Sequence, residues 1–273
     1  MPGRYNRGMF RLTREVRFAI NSTPDEQRLH KPANSYAGYP SLTGLGHYFA
    51  LQLTIAGSLD PRSSYLQNIK LIDALVRERG VPIIEESIRE NRFGGGGLVL
   101  TELFQTFRDP WPNLSLESLH LSLSPFLSLS IHAPEYPMVR LSQKFEFSAS
   151  HRLCNTSLSD EENRTLFGKC SNPHGHGHNY VVQVTVTGRP DENGVVVNVP
   201  SFERLVAEAV IERMDHKNLN VEVAEFSELI PSVENIAMVI YRLLKPKFTD
   251  AHAKLASVTV WETPKTWCEY SEP

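Results

Sequence analysis

The chain has 273 residues, a hydrophobic fraction of 41% and a formal net charge of -3 at pH 7. This length suffices for one large domain or two small ones, each with a buried core. The slightly negative charge argues against a nucleic-acid-binding protein. No signal-peptide core and no membrane-length apolar run is seen, so we expect no membrane partner. Three cysteines are too few for a disulfide framework, which predicts reduced thiols and a cytoplasmic protein.

The first half of the chain carries weak copies of segments in the second half, which indicates a duplicated domain. A proline-bearing connector at 132–138 separates a first domain, 1–138, from a second, 139–273. Leucine and serine alternate over 119–131, a pattern typical of a strand. The glycine run at 94–97 lacks the lysine and hydroxyl residue of a phosphate loop, so we interpret it as a flexible connector. The paired segments are 17–22 with 146–151, 44–57 with 175–188, and 118–123 with 257–262.

The second half predicts two strands, two helices and two further strands, an α+β fold with a four-stranded antiparallel sheet and helices on one face. The first helix is predicted after Pro200 with Ser201 as its N-cap, and the second begins at Ser232. A turn is predicted at 191–194. The predicted strands cover 144–150, 179–187 with an extension over 195–199, 257–261 and 267–270.

Histidines alternate with glycines shortly after Cys170. Residues two apart on a strand point to the same face, so His176 and His178 can bind one metal ion together, with Gly177 leaving room for a close approach. His151 is the natural third imidazole. Three nitrogen ligands with an open fourth position are typical of a catalytic zinc site.

At these residues the chain resembles the 6-pyruvoyltetrahydropterin synthase family, which includes the related 6-carboxytetrahydropterin synthases. The resemblance covers nearly all of 141–270, in the family's order. It implies the tunnelling fold, which agrees with the order of elements given above. The matching segments are FSASHRL at 147–153, LSDEEN at 158–163, LFGKC at 166–170, GHGHNY at 175–180, DHKNLN at 215–220 and VWET at 260–263.

The resemblance implies Zn²⁺ bound by the three imidazoles named above, and Cys170 as the proton-transferring base. A nearby cation or metal lowers the pKa of a thiol enough to give thiolate at neutral pH. Asp215 and His216 are implied as a second proton-transferring pair, from the same or a neighbouring subunit. His174 would give the shorter cysteine-to-histidine spacing of the 6-carboxytetrahydropterin synthases. We interpret it as a loop residue, because the Asn-Tyr pair after His178 identifies His176 and His178 as the histidine pair.

The same resemblance assigns pterin binding to a carboxylate and to the start of the second helix. Glu262 is implied as the anchor that accepts two hydrogen bonds from the pterin. Ser232, Val233 and Glu234 are implied as further substrate contacts, and Val233 stands where the family usually has threonine. The nearby candidates for binding a triphosphate are Lys169, Arg152 and Lys217, and the sequence does not distinguish among them.

The implied activity is that of a zinc-dependent lyase that eliminates triphosphate from 7,8-dihydroneopterin triphosphate and gives 6-pyruvoyltetrahydropterin. One alternative keeps the site but forms 6-carboxytetrahydropterin and acetaldehyde, on the route to queuosine and other 7-deazaguanine nucleosides. A second alternative is a non-catalytic pterin- or metal-binding module. A purely structural zinc site is disfavoured, because the sequence offers no evident fourth protein ligand.

The first half lacks the chemical groups of the second. Ser22 aligns with His151, Leu45 with His176 and Leu123 with Glu262, so we expect a degenerate tunnelling-fold domain without zinc or pterin sites. His47 is then structural. Four-stranded units leave exposed edges that need partners, and the resemblance implies their closure into a barrel. We therefore expect a homo-oligomer in which both halves supply barrel segments.

Overall fold

The computed structural model describes residues 8–22, 34–248 and 252–272. The chain divides into two compact units, the first comprising Met1–Leu141 with Gly188–Val196 and the second Ser142–Thr187 with Val197–Pro273. Each unit combines antiparallel strands with helices, so the α+β class predicted from the sequence is confirmed.

The first unit contains an antiparallel meander of four strands in the order β1-β2-β3-β4. Burial alternates along β2, where Leu51, Leu53 and Ile55 are fully buried while Gln52 and Thr54 are partly exposed. This alternation leaves one apolar face for the helices to cover. The strands are Phe10–Asn21 (β1), Gly46–Gly57 (β2), Leu114–Ser122 (β3) and Leu127–His132 (β4), and the helices are Ile69–Leu75 (α1), Val81–Arg89 (α2) and Gly97–Arg108 (α3).

The glycine run of the first unit is a packing surface rather than the flexible connector that we expected from the sequence. The backbone nitrogens of Gly95 and Gly97 donate to the carbonyl oxygens of Asn193 and Gly194, at 3.2 and 2.9 Å. A Cβ added to Gly95 would lie 2.5 Å from the Cα of Val195. Glycine is therefore required because backbone approaches backbone at this point.

The second unit contains strands in the order β5-β6-β8-β9, and the short β7 pairs in parallel with β5. Helix α8 packs against β8 and β9 through a continuous buried face. The strands are Val139–His151 (β5), His176–Gly188 (β6), Lys217–Asn218 (β7), Ala253–Thr263 (β8) and Thr266–Tyr270 (β9). The helices are Asp160–Phe167 (α4), Val199–Val206 (α5), Glu212–Met214 (α6), Leu219–Glu222 (α7) and Val233–Leu244 (α8), with a π-helical turn at Ala207–Ile211. The first unit has its own π-helical turn at Val76–Gly80.

Two sequence predictions for this unit were wrong in detail. Residues 195–198 form no strand, and α5 begins at Val199 with Asn198 as its N-cap, where the Asn198 side chain accepts from the backbone of Ser201. Pro200 lies in the first turn, where its missing N–H costs nothing. The predicted N-cap of α8 is confirmed, since the Ser232 side chain accepts from Asn235 N.

Helix α4 lies between the first two predicted strands, where no helix was predicted, although its sequence carries a start signal. Ser159 and Glu162 form a reciprocal capping box, in which each side chain accepts from the other residue's backbone. The S-x-x-E pattern is typical of such a helix start. Over the part of the chain that the structure describes, no helix has the length and apolar character needed to cross a bilayer.

Candidate metal centre and active site

Three imidazoles converge where β5 ends and β6 begins. The potential ligand atoms of His151, His176 and His178 all lie within 4.8 Å of one another. The Nε2 atoms of His151 and His176 are 3.1 Å apart. Two nitrogens bound to one tetrahedral zinc ion are separated by roughly 3.3 Å. The observed spacing therefore fits a shared metal ion.

The surroundings of His151 determine which of its two ring nitrogens is unprotonated and can bind a metal ion. Its Nδ1 atom lies 2.7 Å from the carbonyl oxygen of Pro231 and must therefore carry the proton. The Nε2 lone pair then faces the other two rings. Burial lowers the pKa of His151, and the Pro231 carbonyl opposes this shift only in part. A neutral imidazole held by a backbone carbonyl is the form that binds metals.

A further nitrogen in this cluster supports a metal site. His178 Nε2 is buried without a hydrogen-bond partner. Burial also lowers the pKa of His178, which keeps that ring neutral. An unpaired buried nitrogen is costly unless something binds it, so this ring fits a cation that accepts nitrogen ligands.

A carboxylate lies beside the imidazoles. Glu262 Oε1 is 3.4 Å from His151 Nε2 and 3.6 Å from His178 Nε2. Glu262 lies near the end of β8, where the pairing with β9 shifts register between Trp261 and Thr263. Its carboxylate contributes negative charge to a site that would otherwise contain only neutral rings.

A glycine positions the metal-binding strand, but it is not the one that we expected. Gly175 has a φ of +69°, and a Cβ at this position would lie 2.9 Å from the carbonyl oxygen of His151. A Cβ on Gly177 would lie 3.5 Å from the Ala149 oxygen, which is an ordinary contact. The turn into β6 therefore depends on Gly175.

Cys170 lies in the 3₁₀ turn Gly168–Ser171 that follows α4. Its carbonyl oxygen accepts from Leu153 N at 2.9 Å, which ties this turn to the segment that follows His151. Burial first, and then the charges of Glu262 and Cys170, raise the pKa of Tyr180. The Tyr180 hydroxyl is 3.4 Å from His151 Nδ1. The backbone bond from Leu153 therefore holds Cys170 near the end of the strand that carries His151.

Asn163 fixes the loop between His151 and Cys170. Only 1% of Asn163 is exposed. Its Oδ1 accepts from Asn155 N at 2.8 Å, and its Nδ2 donates to the carbonyls of Asn155, Leu158 and Ser159. One buried amide thus organises the whole connection, a role that we did not predict from the sequence.

Asp215 and His216 are in contact, with Nδ1 of His216 2.9 Å from Oδ2 of Asp215. The backbone N–H of Ser148 and the His216 ring both lower the pKa of Asp215. His216 has a φ of +57° and is 82% exposed at its side chain. Together with His178, it lines a cavity of about 500 Å³, so one ring of the imidazole cluster and the histidine of the predicted proton-transferring pair border the same cavity.

The segment after His216 runs alongside β5. Ala149 pairs with Lys217 in the parallel β5–β7 contact. The Asn220 amide accepts from Arg152 N at 2.7 Å and donates to Arg152 O at 2.9 Å. The Asn220 side chain therefore continues the ladder as a backbone peptide would.

The remaining predicted site residues lie around the start of α8 and in the loop before β6. Ser232 uses its hydroxyl as the helix cap, Val233 is buried, and Glu234 is exposed in the first turn. His174 is exposed and lies outside the imidazole cluster found among the described residues. Pro231 and Tyr180, which contact His151, were not assigned a role from the sequence.

Comparisons with known proteins show which proteins the chain is similar to. A family model described as 6-pyruvoyl tetrahydropterin synthase matches residues 140–273. The 6-pyruvoyl tetrahydrobiopterin synthase of Pongo abelii is 48% identical over 103 residues, which are 37% of this chain and 71% of that protein. The protein of the same name from Drosophila melanogaster is 39% identical over 145 residues, which are 51% of this chain and 83% of that protein. The solved structure of Caenorhabditis elegans 6-pyruvoyl tetrahydropterin synthase is 36% identical, covers 50% of this chain and 97% of its own, and has a TM-score of 0.48.

The fold and the three convergent imidazoles define an α+β protein with a histidine cluster that could hold a metal ion. The sequence identity to curated relatives, which extends over most of the length of those relatives, also assigns the chain to a family. The chain belongs to the 6-pyruvoyl tetrahydropterin synthase family.

Proposed function

We propose that this protein is a zinc-dependent lyase that converts 7,8-dihydroneopterin triphosphate into 6-pyruvoyltetrahydropterin and inorganic triphosphate. The observation that carries the proposal is the convergence of His151, His176 and His178 beside the carboxylate of Glu262. The relatives named as 6-pyruvoyl tetrahydrobiopterin synthases, at 48% and 39% identity, support the same reaction.

The reaction needs no external oxidant or reductant. A carbon–oxygen bond to triphosphate breaks, and protons shift so that the side chain becomes oxidised while the pterin ring becomes reduced. Bound zinc supplies Lewis acidity, which makes neighbouring C–H and O–H groups easier to deprotonate. Cys170 accepts a proton from a side-chain carbon, and the Asp215–His216 pair transfers protons at the 500 Å³ cavity that His216 lines.

The pterin-binding groups are the carboxylate of Glu262 and the start of α8. A carboxylate matches the adjacent amino group and ring N–H of a pterin. Because the Ser232 hydroxyl caps the helix, Ser232 and Val233 contribute to binding through backbone groups and shape. Glu234 is exposed in the first turn and is available for a polar contact.

The 6-carboxytetrahydropterin synthase reaction is the second candidate. The protein of that name from Haemophilus influenzae is 26% identical over 156 residues, a lower identity than that of the pyruvoyl relatives. His174 is exposed and lies outside the imidazole cluster, which supports His176 as the first histidine ligand after Cys170. This longer spacing from Cys170 favours the pyruvoyl product.

Mass spectrometry of the products formed by the purified, zinc-loaded chain tests the proposal. We expect triphosphate and 6-pyruvoyltetrahydropterin, whereas acetaldehyde with a 6-carboxy product would establish the second candidate. Cys170→Ala should abolish triphosphate release, and Cys154→Ala, at another half-buried free thiol, should retain it. Equal release by both variants would show that Cys170 is not the catalytic base, whereas no release by the unaltered chain would favour a pterin-binding module without catalysis.

We further propose that residues 1–138 are a degenerate copy of 139–273 and that copies of the chain assemble into a barrel. In the first unit, the Ser22 hydroxyl donates to Leu45 O at 2.6 Å, so the residues aligned with two zinc ligands make a simple structural contact. Trp267 on the terminal strand β9 is 58% exposed, which supports an interface with another copy. Light scattering that detects only monomer at micromolar concentration would contradict the assembly.

A further inference from the structure

A second cavity of the catalytic unit, with a volume of about 620 Å³, is bordered by three cations and one carboxylate. The cations are Arg152, Arg164 and Lys169, and the carboxylate is Asp160. We propose that this cavity, here called the basic cavity, binds the polyphosphate chain of the substrate, an inference that rests on the function proposed above. Its cationic excess matches a strongly anionic group.

Arg152 is held in place before any ligand arrives. Its Nε donates to the carbonyl oxygen of Ser171 at 2.9 Å, and its side chain is 28% exposed. Its Nη2 is 3.7 Å from Asp160 Oδ1, a loose contact with a carboxylate that is itself 91% exposed. The guanidinium edge therefore remains available, and a preorganised arginine loses little entropy when it binds phosphate oxygens.

The other two cations are uncommitted. Arg164 and Lys169 are exposed, and neither has an ion-pair partner among the described residues. Lys217, the remaining lysine considered from the sequence, pairs with Glu222 at 3.6 Å and lines the other cavity. The structure therefore favours Arg152 and Lys169 over Lys217 and adds Arg164.

The basic cavity adjoins both reactive elements through the chain itself. Arg152 directly follows the metal-site residue His151, and Lys169 directly precedes Cys170. The hydrogen bond from Leu153 N to Cys170 O joins these two walls. A pterin side chain reacting between the metal and the thiol would thus have its leaving phosphates beside the three cations.

Inorganic tripolyphosphate is a suitable probe because its binding requires no turnover. Isothermal titration calorimetry on the zinc-loaded full chain should detect binding that weakens about tenfold in Arg164→Gln and in Lys169→Gln. Arg204→Gln, on the exposed face of α5, removes the same charge elsewhere and should leave the affinity unchanged. Circular dichroism melting checks that each variant is folded.

Kinetics provide the second arm. Arg164→Gln should raise the KM for 7,8-dihydroneopterin triphosphate and leave the affinity for unphosphorylated 7,8-dihydroneopterin unchanged. Turnover with an unaltered KM in this variant would overturn the basic cavity while supporting the proposed function. Tripolyphosphate binding that weakens in Arg164→Gln and Lys169→Gln, without any turnover by the unaltered chain, would support the basic cavity and contradict the proposed function. Absence of tripolyphosphate binding, or equal weakening in Arg204→Gln, would also overturn the inference.

Discussion

The Nδ1 atom of His151 lies 2.7 Å from the carbonyl oxygen of Pro231, the residue directly before the N-cap of α8. A metal-site ring on β5 is thereby oriented by the segment that also begins the proposed pterin-binding helix. Movement of Pro231 would change both the direction of the His151 lone pair and the position of Ser232. The proposed metal site and the proposed pterin site are therefore structurally coupled.

Metal content depends on the imidazole cluster. His176→Ala removes one of three ligands, and we expect bound metal to fall from about one ion per chain to a small fraction. Elemental analysis after gel filtration measures this directly. His174→Ala, two residues away and exposed, is the matched control and should retain metal. Equal metal loss in both variants would place the site elsewhere.

The metal-free protein should lose stability as the pH falls below about 6.5. Burial lowers the pKa of His151 from its ordinary value of 6.5, so between that value and the lower folded-state value the unfolded chain binds more protons than the folded chain. The free energy of unfolding then rises with pH through this window. Urea titrations of chelator-treated protein at about pH 7.5 and 5.5 test this.

The contribution of His151 to this pH dependence can be separated from that of other groups. A His151→Gln variant lacks the titrating ring, so its unfolding free energy should change less between the two pH values. An identical pH dependence in the variant would show that other groups are responsible.

Asn163 should be important for the stability of the loop that carries Cys170. Asn163→Ala leaves the Asn155 N–H and three carbonyl groups without their amide partner, and we expect a loss of about 2–4 kcal/mol in unfolding free energy. Chemical denaturation measures the loss. Thr165→Ala, at an exposed site on the same helix, should cost less than about 1 kcal/mol. Comparable losses in the two variants would contradict this role.

Gly95 should tolerate no side chain. In Gly95→Ala the new methyl group would lie 2.5 Å from the Cα of Val195, so the turn at Asp191–Gly194 must shift. We expect a destabilisation of about 1–3 kcal/mol by thermal or chemical unfolding. Gly44→Ala is the control, because nothing lies within 4 Å of a Cβ at that position. A neutral Gly95→Ala would show that this contact is easily rearranged.

The sequence predicted the α+β class and the chemical groups of the site because their signals are local. Alternating histidines on a strand and the serine cap of α8 are encoded within a few residues. Contacts distant in sequence carried no such signal. Nothing local indicates that Pro231 faces His151, 80 residues earlier, or that the glycine run packs on the turn near Gly194. Helix α4 is a different case, because the sequence contains its capping box and the helix was still not predicted.

The paired hydrogen bonds between Asn220 and Arg152 influence which substitutions this protein can accept during evolution. They fix the register between the strand that ends in the metal-site histidine and the segment that carries Asp215 and His216. That spacing is set inside one folding unit by ordinary ladder geometry. Substitutions on the outer surface of this unit can therefore accumulate without disturbing the separation between these groups.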